Sequence, residues 1–130
     1  MKFLVDYNLD GYATLLLGIL AKRGWLEFFS IQFVTFKDTG LSMDSSDRTL
    51  WNHAQANQML ILTANRNLKG EGSLEQVMRD ENTSTSFPII TIGDLTRFDE
   101  SEYRERCVDR LVEIALEIEN YMGVGRLFIP

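Results

Sequence analysis

Short, continuous apolar runs constrain the fold of this chain more than any other feature of its sequence. We predict core strands at residues 3–6, 60–63 and 89–92, because each run is too short for a buried helix and has the usual length of a strand. The runs are apolar at successive positions and not only at alternate ones. This indicates strands that are covered on both faces, as in parallel sheets.

Helical patterns separate these runs. Asp10 is predicted to cap a first helix, Ser46 or Asp47 caps a second, and residues 101–121 carry an apolar stripe along a third. The remaining predicted elements are a strand over 31–36, a loop over 37–45, a short helix near 73–79 and an edge strand over 126–130. The alternation predicts one α/β domain over residues 1–130, with a three-layer α/β/α fold and a mostly parallel central sheet.

The charge and the cysteine content limit the classes of function. A formal net charge of −6 argues against a surface built for broad phosphate binding, although it allows a small acidic metal site. The single Cys107 excludes a disulfide within the chain and fits a reducing compartment. No apolar stretch reaches the roughly 18 residues of a transmembrane helix. We therefore expect a cytoplasmic protein with no membrane partner.

An Asp or Asn follows each of the three predicted core strands. Asp6 ends the first strand, Asn65 and Asn67 follow the second, and Asp94 follows the third. Asp47, at the start of a predicted helix, belongs to the same edge of the sheet. In α/β folds, ligands bind at the carboxyl edge of the sheet. We therefore expect these side chains to converge on one concavity there.

Three segments resemble the motifs of short bacterial PIN-like proteins. The opening Lys2-Phe3-Leu4-Val5-Asp6 with Asn8-Leu9 resembles the strand, Asp and Asn-Leu with which those chains begin. Thr39-Gly40-Leu41, followed by Ser46-Asp47 and Ala54, is similar to the family's Gly-Leu…Ser-Asp…Ala stretch. Leu60-Ile61-Leu62-Thr63 before Asn65-Arg66-Asn67 resembles its Val-Leu-Thr-x-Asp-x-Asp signature. The order and spacing of the three match, and together they cover roughly the first half of the chain.

The resemblance implies a metal-dependent nuclease site. In PIN domains, clustered acids bind Mg²⁺ or Mn²⁺ and cut single-stranded RNA. Asp6 matches the first acid of the family and Asp47 matches the acid that opens the second helix. Both are therefore candidate metal ligands and catalytic residues, and Asp94 is a further candidate catalytic acid.

Asn65 and Asn67 depart from the family's pattern, because both fall where the family usually has Asp. They remain candidate metal ligands, but the two amides remove two formal negative charges from a site that binds hard cations through carboxylates. Mg²⁺ or Mn²⁺ is therefore expected to bind weakly. Either the site is degraded, or Asp44 or Asp94 compensates.

Two functions follow from this departure. The first is a ribonuclease with a partly degraded acidic site, in which Asn8 and Arg66 are further candidate site residues. The second is a catalytically inactive PIN-like protein that binds RNA or a protein partner, as a component of the toxin–antitoxin type. The net negative charge and the two Asn favour the second function, whereas Asp6 and Asp47 favour the first. Homo-oligomer formation stays open in both.

Overall fold

The computed structural model describes residues 1–64 and 73–130, which form a five-stranded, fully parallel sheet. The strands in chain order are β1 (Lys2–Val5), β2 (Gln32–Val34), β3 (Met59–Thr63), β4 (Ile89–Ile92) and β5 (Arg126–Ile129). Their order across the sheet is β2-β1-β3-β4-β5. The predicted core strands are confirmed, and β1 lies inside the sheet between β2 and β3.

Helices cover both faces of the sheet, which confirms the three-layer α/β/α fold. They are α1 (Asp10–Lys22), α2 (Trp25–Phe29), α3 (Phe36–Thr39), α4 (Asp47–Ala56), α5 (Leu74–Glu81) and α6 (Ser101–Leu116). Helices α1 and α6 pack on one face, and α4 and α5 pack on the other. No helix in the described part of the chain is long and apolar enough to cross a membrane.

Alternate residues of each strand enter the two halves of the core. In β1, Phe3 and Val5 pack toward α1 and α6, whereas Leu4 packs toward α4 and α5. Strand β3 repeats this pattern, because Leu60 and Leu62 join the first core and Ile61 joins the second. Burial of both faces is the physical reason that these strands are apolar at successive positions.

The strand order changes direction between β1 and β3. From β1 the chain crosses outward to β2, and from β2 it crosses back over β1 to β3 and continues to the opposite edge. Right-handed crossovers that run in opposite directions put α1 and α4 on opposite faces of the sheet. The carboxyl ends of β1 and β3 therefore flank a crevice, which is where ligands bind in open α/β sheets.

Four local expectations differ from the structure. The strand predicted over 31–36 is limited to Gln32–Val34. The predicted loop over 37–45 begins with α3, because Thr35 and Asp38 form a capping box there. Asp10 is the first residue of α1 and not its cap. The long helix ends at Leu116, and a separate 3₁₀ turn follows.

Candidate functional site

A cavity of about 370 Å³ lies at the carboxyl edge of the sheet, beside the crevice between β1 and β3. Asp6, from the end of β1, and Asp47, from the start of α4, both line it. The remaining described residues of its lining are mostly apolar or uncharged: Asn8, Leu9, Phe36, Met43, Ser45, Leu50, Ala64 and Leu95. The cavity therefore combines two carboxylates with uncharged side chains, some apolar and some polar.

Asp6 is held by its backbone and by its side chain. Its N–H donates to the Leu62 carbonyl (2.9 Å), which extends the pairing of β1 with β3 by one residue. Its carboxylate oxygen Oδ2 accepts a hydrogen bond from the hydroxyl of Thr63 (2.7 Å). Thr63 is fully buried, so a rigid strand fixes the orientation of the half-buried Asp6 carboxylate.

Asp47 connects the beginnings of two helices. Ser46 caps α4, because its side chain accepts a hydrogen bond from the Thr49 N–H (3.1 Å), and Asp47 follows in the first turn. The Asp47 carboxylate accepts a hydrogen bond from the backbone N–H of Leu74, the first residue of α5. Negative charge near a helix N-terminus interacts favourably with the helix dipole.

The pKa of Asp47 is nevertheless raised above its ordinary value of 3.8. Burial is the largest cause and the nearby Asp6 carboxylate is the second, while the Leu74 N–H and Arg126 act in the opposite direction. The two carboxylates therefore repel each other in a half-buried cavity, an arrangement that a bound cation would relieve.

Sequence reasoning missed Asp10 as a neighbour of Asp6. Burial raises the pKa of Asp10, and the Asp6 and Asp38 carboxylates raise it further. The 3₁₀ turn Tyr7–Leu9 brings Asp10 close to Asp6, since it turns the chain immediately after β1. The short spacing of Asp6 and Asp10 in the sequence, on either side of this turn, could have indicated that the two acids lie close together.

Arg126 is the second residue that sequence reasoning missed. Its side chain is only 5% exposed, although it lies on the edge strand β5. Its Nε lies 3.3 Å from Glu75 Oε1, and its Nη1 donates to the Thr91 hydroxyl (2.6 Å). Burial lowers the pKa of Arg126, whereas Glu75 and Asp47 raise it. An arginine at the start of an otherwise apolar strand was the only sequence signal for this interaction.

A polar row crosses the sheet at the level of Asp6. Thr63 donates to Asp6 and is paired in register with Thr91, which in turn accepts from Arg126. Thr63 lies two residues after Ile61, and Thr91 lies two residues after Ile89. Both isoleucines pack toward α4 and α5, so the polar row lies on that face of the sheet. Glu75 and Asp47, from the first turns of α5 and α4, adjoin the same face.

The structure brings only some of the sequence candidates together. Asn8 is exposed and lines the cavity with Asp6 and Asp47. Asp94 is exposed and accepts hydrogen bonds from the backbone and hydroxyl of Thr96, and Asp44 accepts one from Ser42. Neither Asp94 nor Asp44 is among the described residues that line the cavity. The candidates Asn65, Arg66 and Asn67 lie outside the described residues.

The donor set suits a hard divalent cation in part. Within residues 1–64 and 73–130, no three Asp, Glu, His or Cys side chains form a group that could hold a metal ion. The two carboxylates of the cavity supply the oxygen ligands that Mg²⁺ takes from proteins, commonly one or two carboxylates with waters completing the shell.

In comparisons with family models, with curated proteins and with solved structures, the chain has no match.

Proposed function

We propose that this protein is a PIN-like, metal-dependent endonuclease of single-stranded RNA with a weakened acidic site. The single observation that carries the proposal is that Asp6 and Asp47 line one cavity beside the crevice between β1 and β3. The repulsion between them gives the cavity a preference for a positive ion, and the position matches the ligand-binding edge of α/β sheets.

The residues of the cavity have separate roles in this proposal. Asp6 and Asp47 would hold Mg²⁺ or Mn²⁺, which when bound lowers the pKa of a coordinated water and neutralises phosphate charge. The Thr63 hydroxyl orients Asp6, and the Leu74 N–H orients Asp47. The side-chain amide of Asn8, at the rim of the cavity, is a hydrogen-bond donor for a phosphate oxygen.

Two variants of the cavity test the proposal. Asp6→Asn and Asp47→Asn each remove one carboxylate charge with little change in shape, so each should weaken Mn²⁺ binding at least about tenfold and abolish cleavage of labelled single-stranded RNA. Asn65→Asp combined with Asn67→Asp should tighten Mn²⁺ binding and raise cleavage. Calorimetric Mn²⁺ titration and a gel assay of RNA cleavage measure the two effects.

Asp109→Asn is the matched control, because it removes the same charge from α6 on the other side of the sheet, where Asp109 is exposed and pairs with Arg23. It should leave both measurements unchanged. Equal Mn²⁺ affinity in the wild type, Asp6→Asn and Asp47→Asn would refute the proposed site.

Arg126 favours a second candidate function. Its buried guanidinium lies close enough to Asp47 to affect the charge of the cavity, so the protein already contains a cation near its acids. In this second candidate function, the protein does not hydrolyse RNA but binds RNA or an antitoxin-like protein. RNA binding that persists without Mn²⁺ and without cleavage, and that Asp6→Asn leaves unchanged, would favour this candidate.

A further inference from the structure

Arg126 and Glu75 form the most buried ion pair among the described residues. Their side chains are 5% and 12% exposed, and the second carboxylate oxygen of Glu75 pairs with the exposed Arg79 (3.1 Å). The partners in the remaining pairs of the described residues are mostly much more accessible. Burial of an ion pair costs desolvation energy and is weak evidence for stability by itself. Stability alone therefore does not explain why this ion pair lies beside the acidic cavity.

Arg126 is linked to both acids of the cavity through fixed groups. Toward Asp6, its guanidinium binds Thr91, the register partner of Thr63, whose hydroxyl binds the Asp6 carboxylate. Toward Asp47, its partner Glu75 directly follows Leu74, whose N–H binds the Asp47 carboxylate. Both routes run along the sheet face that α4 and α5 cover.

We propose that Arg126 is a positioning residue that sets the cation affinity of the acidic cavity, with Glu75 holding it in place and offsetting part of its charge. The inference rests on the proposed metal-binding function of Asp6 and Asp47. A guanidinium remains charged throughout the physiological pH range, so Arg126 is a permanent positive charge behind the two carboxylates. It reduces their repulsion in the metal-free protein and opposes a divalent cation.

The charge of each partner predicts the direction of its variant's effect. Arg126→Met removes the positive charge and keeps a long apolar side chain, so Mn²⁺ affinity should rise about five- to tenfold. Glu75→Gln removes the negative charge that offsets Arg126, so Mn²⁺ affinity should fall by a similar factor of about five. Arg126→Lys keeps the charge and should bind Mn²⁺ like the wild type.

Calorimetric titration with Mn²⁺ alone measures these effects without any assay of activity. Arg110→Met is the matched control, because Arg110 is also a partly buried arginine in an ion pair but lies on α6 at the opposite face. It should leave Mn²⁺ affinity unchanged. Circular dichroism of each variant shows whether the fold is retained.

A merely structural role predicts a different result. If the Arg126–Glu75 pair only holds β5 to α5, Arg126→Met and Glu75→Gln should weaken Mn²⁺ binding together, and that result would overturn the inference. The proposed function would still stand if Asp6→Asn and Asp47→Asn weaken binding in the same titrations. Absence of Mn²⁺ binding in every variant, Arg126→Met included, would overturn both. A folded Arg126→Met protein with unchanged affinity would overturn the inference alone.

Discussion

At the scale of one residue, the surroundings of the Asp47 carboxylate oppose the stability of the fold. Burial and the Asp6 carboxylate raise its pKa, so its ionised form is less stable in the folded protein than in the unfolded chain. Groups whose pKa is displaced by burial and by a like charge cluster at functional sites. The Asp47 carboxylate therefore costs folding energy that a bound cation would recover.

Asp47→Asn should stabilise the metal-free protein at neutral pH. Because the pKa of Asp47 is raised in the folded protein, the protonated form of Asp47 favours folding. This contribution to the free energy of unfolding is complete below pH 3.8 and is lost as the pH rises through the raised pKa of Asp47. The variant should therefore have a higher Tm than the wild type at pH 7, and the difference should shrink toward pH 3.8. Thermal melts over this pH range measure it, with Asp109→Asn as the control. A lower Tm for Asp47→Asn at every pH would show that the Leu74 hydrogen bond outweighs the repulsion.

At the scale of elements, two capped helix starts place charged side chains near the edge of the sheet. Ser46 caps α4 and Ser73 caps α5, and each serine accepts a hydrogen bond from the N–H three residues later. The caps fix where each helix begins, and so they fix the first-turn positions of Asp47 and Glu75. The beginnings of these two helices therefore determine which charges face the sheet edge.

Ser46→Ala should lower the free energy of unfolding by about 1 kcal/mol, because the Thr49 N–H loses its side-chain acceptor. Ser46→Asp restores an acceptor and should recover most of the loss. Urea denaturation followed by circular dichroism gives both values. Ser84→Ala, in an exposed turn, is the control and should have little effect. Equal stability of Ser46→Ala and the wild type would show that the cap does not hold α4.

The strand order places the cavity at the scale of the whole molecule. Because β1 lies between β2 and β3, the residue that ends β1 faces the crevice where the crossovers diverge. Strand β5 then brings Arg126 to the α4 and α5 face from the far edge of the sheet. Asp47, Glu75 and Arg126 thus come from three different elements of the chain, and Asp6 directly follows a fourth.

Mn²⁺ should raise the Tm of the whole protein if the cavity binds it only in the folded state. Ligand at 100 times its Kd stabilises a folded protein by about 2.7 kcal/mol. The wild type should therefore melt at a higher temperature as Mn²⁺ is added, and Asp6→Asn should need at least about tenfold more Mn²⁺ for the same rise. Differential scanning calorimetry at increasing Mn²⁺ measures this. A similar rise in Asp6→Asn would place the binding site elsewhere.

The site residues that could be predicted are those marked by a local sequence pattern, such as the end of a strand or the start of a helix. Asp6 and Asp47 were both identified from a strand end and a helix start, and the structure brings them to one cavity. Asp94 was placed at the same edge, but its carboxylate binds Thr96 and the residue does not line the cavity. Arg126 was missed because its contact with Glu75 depends on how β5 and α5 come together, which leaves no periodic pattern in the sequence.

The class of the fold and the position of most elements could be predicted from the amino-acid sequence. Runs apolar at successive positions and capped helical patterns are local consequences of burial and of backbone hydrogen bonding, so they can be read residue by residue. Only the tertiary structure shows the order of the strands and the position of Arg126 near Asp47 and Glu75. Those contacts join residues far apart in the chain, and their energies depend on which parallel neighbours each strand pairs with.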